Sequence, residues 1–366
     1  MGLAAAAGWR RSSVVLVGLL LAGCSGAGAS DVPGPAGTGT ANGGTENASP
    51  RGATADVVRL GFFANVTHAP ALVGVGEGLF EAELGDTMLE TATFNTGTTA
   101  AEALFGGAID MTFIGPNPAI NAWSQSGGEA IRIVAGSTSG GASLVVAPEI
   151  ATVEDLAGAT LSTPSLGNTQ DVALRAWLAE QGLETTLEGG GEVSIMPQEN
   201  AQTLETFSRG DIDGAWLPEP WATRLIVEGG GHVLVDEADL WPDGRFVTTH
   251  LIVATDFLEE YPGTVAAVIR GLVAALDYIA ASPEDAQRVA NEQILAITGN
   301  ALAPETIQGA WENLEFTADP IAPSLAESAA DAEAVGLLDP VDLDGIYQLD
   351  LLNAVLAELG RDQVAP

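Results

Sequence analysis

The chain has 366 residues, with 49 acidic against 12 basic side chains and a formal net charge of −37. That length suffices for two domains with separate cores. A surface so negative repels phosphate backbones, so nucleic acid is not an expected partner. Every residue counted as basic is arginine, and Cys24 is the single cysteine, which leaves neither an intramolecular disulfide nor a cysteine-based metal site.

The amino terminus reads as an export signal. Arg10 and Arg11 precede a short apolar run at 13–20, and Leu21-Ala22-Gly23-Cys24 resembles a bacterial lipobox. The run is too short to span a bilayer as an ordinary helix, so residues 1–23 are expected to be cleaved and Cys24 to carry lipid at a membrane surface. Residues 24–56 are rich in Gly, Ala, Ser, Thr and Pro. Such a segment buries too little to offset its ordering entropy, and roughly thirty residues of it span about 30 Å as a flexible tether.

Structure is expected from Val57. The run 57–63 reads as a strand, Pro70 opens a helix to about residue 84, and 89–94 is a second strand. Thr99 and Glu102 have the spacing of a capping box for the next helix. A strand at 109–115, a helix from Asn117 and a strand at 131–136 follow. This alternation predicts a parallel sheet wrapped by helices.

A second series begins with the apolar run 143–147. Strands are expected at 160–163, 193–196, 212–217 and 232–235, with helices at 168–180, 201–208 and 221–228. The runs 143–147 and 246–254 are read as paired crossover strands. Lobe 1 is then 57–145 plus 246–366, and lobe 2 is 146–245. The remainder reads as helices at 262–281, 283–298, 304–315, 323–335 and 345–359, several with Pro near the first helical position. The fold class is therefore α/β, with two α/β lobes joined by two crossover strands.

An internal repeat supports the division. LFGGAIDMTFIGPNPA at 104–119 is echoed by FSRGDIDGAWLPEPWA at 207–222, with Gly107/Gly210, Ile109/Ile212 and Asp110/Asp213 at one spacing. The copies are too far apart for a solenoid array. Two similar lobes make a cleft.

Ligands of open α/β sheets meet the loops beyond the carboxyl ends of strands, where helix N-termini offer unpaired N–H groups. The loops with that address contain Asn65, Thr67 and His68, then Thr96, Gly97 and Thr98, and then Gly115, Pro116 and Asn117. Ser139, Gly140 and Gly141 form another, followed by Gly167, Asn168, Thr169 and Gln170. Trp216 and Glu219 belong to the last. Ordinary capping accounts for any one of them; together, on both lobes and almost without cations, they point to a site for a small anion. Asp171 and Arg175 have the i,i+4 spacing of a helix salt bridge. Trp216 or Trp221 could wall an apolar ligand tail, although Trp in such a strand commonly belongs to the core. Glu219 is either a helix-start carboxylate or the partner of a ligand ammonium group. Three separated histidines lack a metal-ligand spacing, and no nucleophile elbow, Walker loop or dinucleotide fingerprint is present. No cofactor and no metal are expected.

The segments GFFANVTHAPALVGVGEGLF, IGPNPAINAW, GSTSGGASLVV, TPSLGNTQDVALRAWL and DGAWLPEPWATRL together resemble the substrate-binding proteins of bacterial importers for aliphatic sulfonates, taurine and nitrate. The likeness extends from Val57 to about Gly360. It implies a type II periplasmic-binding-protein fold, a monomer closing by a hinge on one small anion, and delivery to an ABC permease and its ATPase. It also implies that the loops named above meet the ligand. An aliphatic sulfonate is the leading expectation, with taurine, nitrate or bicarbonate as alternatives within the family. An enzyme similar to the pyrimidine synthases of thiamine biosynthesis would need a cysteine-rich segment that this chain lacks. A ligand-sensing module is the third reading.

Overall fold

A computed structural model of the chain describes residues 52–366. The expected signal, the lipidation site at Cys24 and most of the expected tether lie outside the described residues. The last part of that tether is docked rather than free. Ala55 N–H donates to the Thr264 hydroxyl at 2.8 Å, Thr87 donates to Ala55 C=O at 2.7 Å, and Ala53 C=O accepts from Gly263 N–H at 2.9 Å.

Two sheets organise the molecule. In the first, β1 (Val57–Phe63), β2 (Met88–Phe94) and β3 (Met111–Ile114) run parallel. Three further strands are β4 (Ile131–Gly140), β10 (Val247–Ala254) and β11 (Leu314–Phe316). The order is β11-β4-β10-β3-β1-β2, with β10 antiparallel to both β3 and β4. The second sheet contains β5 (Ala142–Val146), β6 (Thr160–Thr163), β7 (Ser194–Pro197), β8 (Gly214–Pro218) and β9 (His232–Asp236) in the order β7-β6-β8-β5-β9. Here β6, β7 and β8 are parallel, while β5 is antiparallel to β8 and β9.

These pairings correct two expectations. The sheets are mixed rather than parallel throughout. The strands expected at 143–147 and 246–254 are not each other's partners: β5 pairs in the second sheet, and β10 pairs with β4 and β3 in the first. Each takes the same place, antiparallel beside the third parallel strand, in a different sheet. The chain leaves the first sheet at Gly140 and Gly141, whose φ values of 79° and 73° favour glycine. It returns through residues 237–246.

Helices cover both faces of each sheet. On the first, α1 (Ala69–Gly76), α2 (Leu79–Leu84), α8 (Thr255–Glu260), α9 (Pro262–Ala281) and α10 (Pro283–Thr298) contribute to one core, and α3 (Gly97–Phe105), α4 (Pro116–Gln125) and α12 (Ala322–Ala334) to the other. On the second, α5 (Thr169–Glu180) covers one face, and α6 (Asn200–Ser208) and α7 (Trp221–Val227) the other. The single helix expected from Pro70 to residue 84 is broken at Gly78, which adopts φ 65°. The break lets Phe80 fold back and bury its ring against Gly74 and Gly271, where a Cβ would come within 2.3 and 2.5 Å of it. Helix α11 (Pro304–Glu312) ends before the expected residue 315, where the chain becomes β11, and α13 (Asp350–Glu358) starts later than the expected 345.

The repeat has one physical job in both sheets. Asp110 Oδ2 accepts from Arg59 N–H, and Asp213 Oδ2 accepts from Thr160 N–H, each at 2.7 Å. The backbones reciprocate, Asp110 N–H to Arg59 C=O at 2.9 Å and Asp213 N–H to Thr160 C=O at 2.8 Å. Gly107 and Gly210 supply the preceding left-handed turns with φ 67° and 73°.

Candidate functional site

The carboxyl ends of the parallel strands in both sheets surround a cavity of about 50 Å³, several times the roughly 10–15 Å³ that one water needs. From the first sheet come Asn65, Thr67 and His68 after β1, Thr96 and Gly97 after β2, and Gly115 after β3. From the second come Asn168, Thr169 and Gln170 after β6. These are the sequence-derived candidates that the fold brings together.

None of the side chains lining this cavity is Asp, Glu, Lys or Arg. Its polarity comes from neutral polar side chains and from the N-termini of α3 and α5. His68 is buried, its ring stacked on Phe63 with centroids 4.4 Å apart. Burial pushes its pKa down to about 3, so the imidazole is neutral at pH 7. Nδ1 accepts from Phe63 N–H at 3.4 Å, which places the ring proton on Nε2. Thr67, Thr169 and Gln170 are 2%, 7% and 4% exposed. Among the described residues, the two hydroxyls and the Gln170 Nε2 have no hydrogen-bond partner, although Gln170 Oε1 accepts from Asn168 Nδ2 at 3.2 Å. All three residues line the cavity, where a ligand or water can satisfy them.

The loops are held from behind. Asn168 caps α5, accepting from Asp171 N–H at 3.0 Å. Asp171 is itself fully buried: it accepts from the Thr163 hydroxyl at 2.8 Å, from Gly167 N–H at 2.9 Å and from Arg175 Nε at 3.0 Å. The i,i+4 pair read from the sequence thus fastens the loop that carries Asn168 to Gln170. Thr96, rather than the expected Thr99, caps α3, accepting from Thr99 N–H at 3.3 Å. Gly115 brings α4 against the second sheet, where a Cβ would come within 2.7 Å of the Thr169 hydroxyl.

Other candidates lie elsewhere. Thr98 is exposed on the first turn of α3. Pro116 is the buried first residue of α4, and Asn117 is turned to Ser328, whose C=O accepts its Nδ2 at 3.1 Å. Ser139 accepts from Phe246 N–H at 3.3 Å, and Gly140 and Gly141 form the crossover. Gly167 lies behind the cavity wall, bonded to Asp171. Trp216 points into the second core, donating to buried Glu237 at 2.7 Å with its ring 5.9 Å from Trp177. Glu219 accepts from Thr223 N–H and hydroxyl at 3.1 and 2.9 Å and from Asn313 Nδ2 at 2.7 Å. Its carboxylate is committed to the start of α7 and to the chain before β11, and burial raises its pKa.

The sequence reading missed Asn200, the first residue of α6, at an address equivalent to the others, and Thr248 and Thr249 at the start of β10. Two threonines inside an otherwise apolar run were the available signal.

A second, larger chamber of about 660 Å³ adjoins the cavity and shares Asn65, Asn95 and Asn200 with it. Trp221 lines the chamber and donates its indole N–H to Asn65 Oδ1 at 3.0 Å, from the second sheet to the first. Arg224 lies over the Trp221 ring at 4.6 Å and pairs with Glu228 at 2.6 Å.

Comparison with known proteins agrees with this geometry. The NMT1-like family model matches residues 52–295. The chain is similar to the taurine-binding periplasmic protein of Escherichia coli (strain K12), with 28% identity over 59% of this chain and 64% of that protein. The match thus spans less than two thirds of that relative's length. The fold is similar to that of the alkanesulfonate-binding protein of Xanthomonas axonopodis pv. citri bound to MOPS, with TM-score 0.65, 19% identity and coverage of 79% of this chain and 96% of that one. It is similar also to the periplasmic nitrate-binding protein of Synechocystis PCC 6803, with TM-score 0.68, 17% identity and coverage of 83% and 89%. The architecture is that of the periplasmic binding proteins.

Proposed function

The chain belongs to the NMT1-like family, and from that premise we propose that it is an extracytoplasmic solute-binding protein of an ABC importer. It captures a small organic anion, with an aliphatic sulfonate as the leading ligand, by closure of two lobes, and it catalyses no reaction. Hinge points at Gly140–Gly141 and within residues 237–246 divide lobe 1, built on the first sheet, from lobe 2, built on the second. One observation carries the reading: a cavity walled by neutral polar groups from both sheets, with no charged side chain among its lining residues. An oxyanion satisfies such donors without a cationic partner. Thr67, His68, Thr169 and Gln170 are its proposed side-chain contacts, with the N-termini of α3 and α5 as backbone contacts.

The cavity alone also fits nitrate or bicarbonate, whereas taurine's ammonium group finds no carboxylate on its wall. Calorimetric and thermal-shift titration with short alkanesulfonates, taurine, nitrate and bicarbonate tests the assignment. A saturable heat and a raised melting temperature with a sulfonate support it; silence with all of them overturns it. Lipid attachment at Cys24, and delivery to a permease and ATPase, belong to the same proposal. Cys24→Ser should release the protein from the membrane fraction.

A further inference from the structure

The two lobes are bonded to each other beside the crossover as well as at the cavity. Glu219 follows β8 in the second sheet, and its N–H donates to Gly141 C=O at 2.9 Å. Its side chain reaches the other lobe. Oε1 accepts from Asn313 Nδ2 at 2.7 Å, and the residue after Asn313, Leu314, pairs with Gly140 of β4 in the first sheet. The other donors to this carboxylate, the Thr223 N–H at 3.1 Å and hydroxyl at 2.9 Å, lie in lobe 2. Helices α7 and α11 approach closely here: a Cβ on Gly309 would come within 3.2 Å of Thr223 Cγ2. Glu219 is 1% exposed, and no salt bridge among the described residues includes it.

We propose that Glu219 and Asn313 form a lock that holds the lobes apposed before ligand arrives, so that this pair sets how much of the empty protein is ready to bind. This rests on the reading of Gly140 and Gly141 as a hinge and adds what governs its resting position. The Glu219 backbone is bonded to the hinge, while its carboxylate is held from the opposite lobe. Rotation at Gly140 and Gly141 therefore swings the carboxylate away from Asn313. A parted lock leaves the charge with the two donors of Thr223 alone, and an under-satisfied carboxylate that no cation offsets is costly. Opening carries that cost, so the apposed state is favoured without ligand. Apparent affinity scales with the fraction of protein in the binding-competent form, and the lock raises that fraction.

The test is the distance between spin labels at Glu102→Cys in α3 and Gln202→Cys in α6, exposed positions on opposite lobes. It is measured in the full chain carrying Cys24→Ser, with and without ethanesulfonate. With Glu219 and Asn313 intact, the empty protein should already show the short distance. Asn313→Ala should shift the empty population toward a longer distance by roughly tenfold or more, and ethanesulfonate should restore the short one. Exchanging the partners, Glu219→Gln with Asn313→Asp, reverses donor and acceptor and should return the empty protein to the short distance, a rescue that general damage to the fold would not show. Thermal unfolding reports whether each variant is intact. An empty parent that is long until ethanesulfonate shortens it overturns the lock and leaves the hinge standing. So does an Asn313→Ala distribution that matches the parent while other conditions move both, or an exchanged pair that stays long. One distance in every sample overturns the hinge, and the lock with it.

Discussion

The Trp221 indole N–H reaches Asn65 Oδ1 at 3.0 Å and so ties the start of α7 in the second sheet's lobe to the loop after β1 in the first. Asn65 also lines the inner cavity, so the same residue borders ligand space and fastens the two sides together. Trp221→Phe keeps the ring and removes the donor. A hydrogen bond of this kind contributes about 0.5–1.5 kcal/mol, so sulfonate affinity should fall roughly two- to tenfold. Calorimetry measures the loss, and an unchanged Kd would show that the bond has no part in closure.

Two glycines of the cavity wall should respond differently to a methyl group. At Gly115 a Cβ comes within 2.7 Å of the Thr169 hydroxyl from the other sheet, while at Gly97 it comes within 2.3 Å of Pro118 in the same lobe. Gly115→Ala is expected to hold the lobes apart and weaken binding by about tenfold or more, with little change in melting temperature. Gly97→Ala is expected to lower the melting temperature, an overpacking cost of about 1–3 kcal/mol. Parallel calorimetry and thermal unfolding separate the two effects.

Glu237 is buried beneath Trp216, and burial pushes its pKa up from 4.5 to about 7. The folded state therefore holds a proton that the unfolded state releases between those values, and stability declines as pH rises from 4.5 to 7. Glu237→Gln keeps an acceptor for the indole and abolishes the titration. The variant should be more stable than the parent at pH 8, by up to about 3 kcal/mol, with the gain vanishing near pH 4. His68 and His250, pushed down to about 3 and about 4, act in the opposite sense: their contribution is lost as pH falls below 6.5. Denaturant unfolding across pH measures both trends.

The paired locks at Asp110 and Asp213 allow an internal comparison. Each accepts a strand N–H that Ala would leave without its side-chain partner, at a cost of about 1–3 kcal/mol. Asp110→Ala and Asp213→Ala should destabilise to a similar degree, the first acting on the first sheet and the second on the other. Hydrogen exchange resolved by sheet reports which lobe is loosened.

Much of the fold was legible because local patterns carry it. The parallel strands, the Pro-led helices, the Asp171–Arg175 pair and the duplicated Ile-Asp turn are specified within short windows of sequence. The partners of β5 and β10 were not, because strand pairing is non-local and both runs are buried on each face. The same absence of alternation concealed the direction of Trp216: all of β8 is buried, so its side-chain period does not distinguish cavity from core. Glu219 was legible as a helix-start carboxylate, but Asn313, which completes its hydrogen bonding, comes from a distant part of the chain. Thr248 and Thr249 were hidden in a run that reads as apolar.

The uncharged wall of the inner cavity has a kinetic corollary. A molecule of net charge −37 repels the anion it is proposed to collect until the two are in contact, whereas the donors that finally hold it are short-ranged and insulated from the bulk. Added salt shortens the reach of that repulsion, to about 10 Å at 0.1 M and 3 Å at 1 M. Stopped-flow measurements should therefore show sulfonate association accelerating with ionic strength while dissociation stays nearly constant, so that brine makes this receptor faster and tighter.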